Sequence, residues 1–209
     1  MRTKALLVAA AITVVGLATS LAQSNVYSLN VVGYHNISTT AGQFKLIANQ
    51  LNTANNSIGS ILTNVPHGTF FYKYNAGWGT FDYDTDLGGW DPDGNATLNP
   101  GEGGLIKTPS AITITFVGEV LQGSLSNNCP SGFAVRSSMV PQAGLVSTDL
   151  GFPQVHGDNV YKYSAGWGTY AYDSDIGWDP NEPSFAVGEA FMTKQNSGAK
   201  GWVRNFTVQ

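Results

Sequence analysis

The sequence predicts an all-β protein: two tandem, similar antiparallel β-modules, packed as sandwiches or as a joined pseudo-two-fold barrel, with one short helical turn each. Three observations predict it. Residues 72–88 recur at residues 161–177, with 12 of 17 positions identical, and a match at fixed spacing marks internal duplication. The apolar segments are short and rich in Val, Ile, Tyr, Phe and Thr, which suit a pleated, half-buried surface. Clusters of Gly, Asn, Asp and Pro separate them, as turns require.

Taken in order, residues 1–22 read as a cleaved signal peptide. Arg2 and Lys4 precede an apolar run at 5–18, and Ser20-Leu21-Ala22 supplies a small-x-small cleavage site. The run is shorter than the roughly 20 residues a spanning helix needs. The expected location is therefore secreted or extracellular, with the cell surface or periplasm as variants, and the chain is not expected to span a membrane. The first β-module is assigned to 23–116 and the second to 117–209.

Residues 25–38 read as one long strand or two short ones, and 44–48 as another. Apolar residues at Ile58, Ile61 and Leu62 point to a helical turn capped by Asn56 or Ser57. Residues 70–74 and 78–84 form a hairpin around Asn75-Ala76-Gly77, and 87–95 reads as a loop. Strands follow at 105–107 and 112–121, and the latter is expected to end one copy and begin the next. Phe133 then falls where Phe44 stands in the first copy, and residues 145–150 supply the matching helical turn. The last strand covers 202–208. The first and last strands are thus expected to be edges, and edges pair with other chains unless they are covered.

Charged residues make up 11% of the chain, against about 25% in an average domain. The formal charge of −4 makes nucleic acid and anionic membranes poor partners on electrostatic grounds. The single cysteine, Cys129, forms no internal disulfide and reads as a small turn residue. The chain has no H-E-x-x-H, no G-x-S-x-G, no phosphate loop and no Cys/His metal spacing. Glu102 and Glu189 occupy matching places in the two copies, which suggests a structural duty for each rather than a catalytic pair. His67 and His156 match as well and read as turn-bonding residues. The expectation is a protein that is not an enzyme.

Two constellations remain. Asp82, Asp84 and Asp86 alternate and Asp93 follows, the outline of a calcium loop. Leu87 occupies the place where such a loop turns on glycine, so a solvated strand face competes with this reading. No other cofactor is expected. The second constellation is aromatic: Tyr74, Trp78 and Trp90, repeated as Tyr163, Trp167 and Trp178. Exposed, these rings would stack on glycans, and paired across strands they would hold the hairpins together.

The motifs Asn30-Val31-Val32-Gly33-Tyr34, Tyr72-Lys73-Tyr74, Trp90-Asp91-Pro92, Pro100-Gly101-Glu102-Gly103 and Phe116-Val117-Gly118-Glu119-Val120 resemble a group of uncharacterised secreted bacterial proteins with a duplicated β-module. The resemblance spans the chain beyond the signal peptide. It implies export and duplication and carries over no functional residue.

The expected function is a non-enzymatic secreted or cell-surface structural protein that self-assembles through its terminal edge strands into a filament or surface layer. Its partners are then copies of itself or other surface proteins. The alternative is an extracellular carbohydrate-binding module that uses the six aromatics.

Overall fold

A computed structural model describes residues 31–208. The signal peptide and the part of the first strand expected before residue 31 lie outside the described residues.

The regular structure of the described chain is nearly all β, 48% strand against 2% helix, in antiparallel sheets that fall into two similar groups. The first copy runs β1 (Val32–Ser38), β2 (Phe44–Ile47), helix α1 (Ile58–Ile61), β3 (Thr69–Tyr74), β4 (Trp78–Asp84), β5 (Gly89–Asp91), β6 (Gly104–Lys107) and β7 (Thr113–Glu119). The second runs β8 (Gly123–Cys129), β9 (Gly132–Arg136), β10 (Gly144–Leu145), β11 (Asn159–Tyr163), β12 (Trp167–Asp173), β13 (Gly177–Asp179), β14 (Ser184–Phe185), β15 (Phe191–Gln195) and β16 (Lys200–Phe206).

Each copy contains the same five-stranded sheet. The order is β2-β6-β3-β4-β5 in the first and β9-β15-β11-β12-β13 in the second. Each copy also has a two-stranded ribbon made from its first and last strands, β1 with β7 and β8 with β16. No sheet closes into a barrel, so of the two packings read from the sequence the arrangement is consistent with the sandwich.

Two local expectations change. Residues 87–95 are not wholly loop: β5 lies inside them and pairs Trp90 with Tyr83. The indole is large enough to hold this short strand against the core despite its glycine-rich flanks. The strand at 112–121 does not serve both copies. β7 pairs along its whole length with β1, crossing position 117, and the separate strand β8 opens the second copy. The chain reverses at 120–122, and Gly123 takes a φ of 89° there, a conformation glycine adopts at little cost.

α1 is a single turn, in which Leu62 N–H donates to Ile58 C=O at 2.9 Å. Its Ser57 cap makes no side-chain capping bond. The second copy has a tight turn at the matching place, where Asp149 N–H donates to Leu145 C=O at 3.0 Å. No helix among the described residues is long and apolar enough to cross a membrane.

Strand alternation sends the side chains of each sheet to two faces. One face packs on its own copy's core, around Phe71, Ile106 and Leu98 in the first copy and Phe152, Phe191 and Val160 in the second. Full burial of such a side chain contributes on the order of 1.5–3 kcal/mol. Leu46, Ala48, Val135, Ala190 and Met192, drawn from both copies, form a third core between the sheets. The copies meet reciprocally. Ile47 bridges to Glu189 while its counterpart Arg136 bridges to Glu102. Ala48 N–H donates to Gly188 C=O at 2.8 Å while Ser137 N–H donates to Gly101 C=O at 3.0 Å. This i-to-j, j-to-i pattern is that of a two-fold dimer interface, here within one chain.

Candidate functional site

The six candidate aromatics do not form one surface. Tyr74 and Trp78 face each other across the β3–β4 hairpin, with ring centroids 5.2 Å apart and planes at 75°. Tyr163 and Trp167 repeat this geometry with the same distance and angle. Edge-to-face contacts of this kind stabilise by about 0.5–1.5 kcal/mol beyond the area they bury. The tryptophans at these hairpin tips remain half open, 41% exposed at Trp78 and 47% at Trp167. Trp90 and Trp178 lie on the opposite sheet faces, against Tyr83 and Tyr172 at 5.3 Å, and pack on the cores of their own copies. Phe44 was not among the six, yet its ring lies 5.7 Å from Tyr72 and 6.4 Å from Tyr163 and so links the copies. The sequence carried a signal for it: Phe44 and Phe133 match in the repeat. The lysines above them, Lys107 and Lys194, also match.

Asp82, Asp84, Asp86 and Asp93 are not gathered into a metal site. Among the described residues no group of three or more His, Cys, Asp and Glu side chains is placed to hold an ion. Asp84 Oδ1 instead accepts from Asp86 N–H at 2.7 Å, and Asp93 Oδ1 accepts from Asn95 N–H at 2.7 Å. These are side-chain-to-backbone turns that Asp favours. Asp173 Oδ1 does the same for Asp175 N–H at 2.7 Å. The spacing that suggests a calcium loop thus builds the turn that closes each β4-type strand. Asp82 stands opposite Asp91 in register, and its Oδ1 is buried without a partner.

The matching glutamates hold turns. Glu102 Oε2 accepts from Asn99 N–H at 2.8 Å and Thr97 Oγ1 at 3.0 Å and pairs with Lys73 at 2.9 Å. Burial alone would raise its carboxyl, but Lys73 and these hydrogen bonds outweigh it and hold Glu102 below the usual range. Glu189 accepts from Ala186 N–H at 2.9 Å and pairs with Lys162 at 3.2 Å. Each carboxylate ties a turn to its copy's central strand. His67 and His156 also bond turns: Thr85 N–H donates to His67 Nδ1 at 3.3 Å and Ser174 N–H to His156 Nδ1 at 3.4 Å. Cys129 is not in a turn but is the buried last residue of β8. Burial pushes its thiol up to about 11, where little nucleophilic thiolate exists at neutral pH.

The feature composition did not reveal is the outer edge of β7. In an antiparallel ladder the N–H and C=O of one residue point the same way, and neighbouring residues alternate. Glu119 exchanges both its bonds with Asn52, each at 2.8 Å, on the side away from β1. Val120 and Ile112, by contrast, bond Val31 and Thr39, at the two ends of the β1 ladder. Thr113, Thr115 and Val117 therefore point the same way as Glu119, and among the described residues their backbone groups have no backbone partner. Thr115 and Val117 line a groove of about 380 Å³ whose far wall includes Asn49, Thr53, Asn55, Ser60 and Ile61, and Thr113 lines a smaller one of about 80 Å³ with Ile61, Thr63 and Val65. On the outer face of the ribbon, Tyr34 is opposite Val117. Both are exposed, at 74% and 56%, and Val32 stands beside Tyr34.

No family model matches this chain, and comparison with curated proteins and with solved structures gave no match either.

Proposed function

We propose that this chain is a non-enzymatic secreted or cell-surface structural protein that self-associates by adding a strand of a second copy to the open edge of β7. The observation that carries the reading is the row of backbone groups at Thr113, Thr115 and Val117 that have no backbone partner among the described residues, the last two along an open groove. Unpaired strand edges invite addition, and main-chain hydrogen bonds then supply the affinity. The exposed Val32, Tyr34 and Val117 widen the contact with apolar surface. Natural edges are commonly blunted by charged side chains, proline or a bulge; β7 (Thr-Ile-Thr-Phe-Val-Gly-Glu) has no proline, its register with β1 is unbroken, and its one charged residue, Glu119, lies at the end already bonded to Asn52.

Sedimentation velocity over a wide range of protein concentration tests the reading. Association that rises with concentration is expected, and whether it stops at a dimer or continues tells a closed contact from a propagating one. Val117→Pro removes only an N–H that points away from β1, the one placement a sheet tolerates for proline. This variant is expected to keep its fold and to weaken association about tenfold or more. A chain that stays monomeric throughout, or a Val117→Pro variant that associates like the parent, contradicts the reading.

A further inference from the structure

The space beside β7 decides what can enter it. Ile61, Thr63 and Thr115 line both the larger groove and the smaller one, so one track runs along β7 from Thr113 to Val117. Its far wall includes Thr53, Asn55 and Ser60, and a strand that pairs with β7 passes between the two sides. β7 or β16 of a second copy is already bonded along one edge, to β1 or β8. That ribbon partner would follow about 4.8 Å behind and meet the wall. The track therefore selects a segment that enters without a neighbour, and such a segment comes from a chain end.

Ser24-Asn25-Val26-Tyr27-Ser28-Leu29-Asn30 has the length and the chemistry. Thr113 to Val117 span about 13 Å of strand, less than this segment covers when extended. No residue lining either groove is charged, and residues 24–30 contain no charge and no proline. In an extended segment Tyr27 and Leu29 share one face, while Ser24, Val26, Ser28 and Asn30 share the other. The apolar face matches Ile61, Ile114 and Phe116 in the lining, and the mainly polar one suits solvent. The segment's own groove is badly placed for it. The β1–β7 ladder ends where Val120 N–H donates to Val31 C=O, on the β1 side of the ribbon, and the groove lies on the other side of β7. The bonds between Glu119 and Asn52 close the groove at the end nearest Val31.

We propose that residues 24–30 of one copy are the strand added to β7 of the next. Main-chain hydrogen bonds to Thr113, Thr115 and Val117 hold the segment, and Tyr27 and Leu29 pack over Ile61 and Phe116. Each chain then donates one end and accepts at one edge, so the contact is head-to-tail and propagates. This inference rests on strand addition at β7 and names the strand that is added.

Two measurements on the full chain test it. Neighbouring N–H groups of a strand point in opposite directions, so Tyr27→Pro combined with Ser28→Pro removes one that faces β7 in any register. Sedimentation velocity is expected to show association weakened about tenfold or more. In the second measurement, Ser28→Cys carries a nitroxide, while the buried Cys129 stays unmodified. The nitroxide-bearing protein, without isotope label, is mixed with isotope-labelled parent at concentrations where association begins. The amide signals of Thr115, Val117 and Ile61 are expected to broaden, those of Val203 on β16 to broaden less, and reduction of the nitroxide to restore them all. Association with amide protection at Thr113, Thr115 and Val117, but unchanged by the two prolines or without broadening at the groove, overturns this proposal and leaves strand addition at β7 standing. Broadening by a nitroxide on the same chain in dilute protein places the segment in its own groove and overturns the proposal as well. A parent that never associates overturns both.

Discussion

Replacing Asp158 by threonine is expected to lower the stability of the folded protein by about 3–5 kcal/mol, because it leaves a buried charge unpaired. Asp158 is fully buried. Its carboxylate pairs with Lys200 and accepts from Val155 N–H and Asn196 N–H, each at 3.0 Å. Lys200 is itself largely covered, with its side chain 15% exposed. The first copy solves the same position without charge. Thr69 stands for Asp158, as the matching turn bonds show: Asp158 N–H donates to Val155 C=O and Thr69 N–H to Pro66 C=O. Pro66 and Pro109 stand for Val155 and Asn196 and have no N–H to satisfy. Ile114 stands for Lys200. All the groups that need a carboxylate are missing from the first copy, and so is the carboxylate.

The fourfold variant Val155→Pro, Asp158→Thr, Asn196→Pro, Lys200→Ile is therefore expected to recover most of what Asp158→Thr loses. A buried ion pair can often be exchanged for apolar packing at little cost, whereas removing one partner is severe. Urea unfolding of the two variants beside the parent measures both effects. A fourfold variant no more stable than Asp158→Thr would show that the four positions do not act as one unit.

The second large effect is acid lability at His35. This side chain is 7% exposed, stacks on Phe116 at 5.1 Å, and has no hydrogen-bond partner at either ring nitrogen. Burial lowers its pKa from 6.5 to about 4. The folded state thus holds the neutral ring while the unfolded chain takes a proton between pH 6.5 and 4. Stability is complete above about pH 6.5 and falls as the pH drops toward 4, by about 3 kcal/mol in all. The second copy avoids this cost. Asn127 faces Trp202 as His35 faces Phe116, and its Nδ2 donates to Gly101 C=O at 2.8 Å and Ser137 C=O at 3.1 Å. Glycine is required opposite both side chains. A Cβ on Gly188 would lie 2.8 Å from His35 Nδ1, and one on Gly101 would lie 2.5 Å from Asn127 Nδ2. His35→Asn is expected to flatten the loss of stability between pH 6.5 and 4. An equal slope in parent and variant would assign the acid lability elsewhere.

Much of the fold could be read from the residues. The hairpins around Ala76 and Ala165 follow from alternating aromatics on either side of a short turn, and the duplication is plain in the spacing. β5 was hidden because three residues among glycines and aspartates carry no period, and Trp90 belongs to a strand only through Tyr83. The β7 edge was hidden for a different reason. Which way the backbone of Val117 points depends on its partners, and composition does not encode that. The Asp158 cluster lies between these cases. Pro66 and Pro109 against Val155 and Asn196 can be seen by aligning the copies. Only the folded chain brings the set together around one side chain.

Strand addition at β7 is tested most directly by amide hydrogen exchange, residue by residue, at low and high protein concentration. The amides of Thr113, Thr115 and Val117 point away from β1 and are expected to exchange rapidly in dilute protein. Their protection should grow with concentration, while Ile114 and Phe116, bonded to β1, stay protected throughout. Exchange at Thr113, Thr115 and Val117 that is equally fast at every concentration would contradict the account.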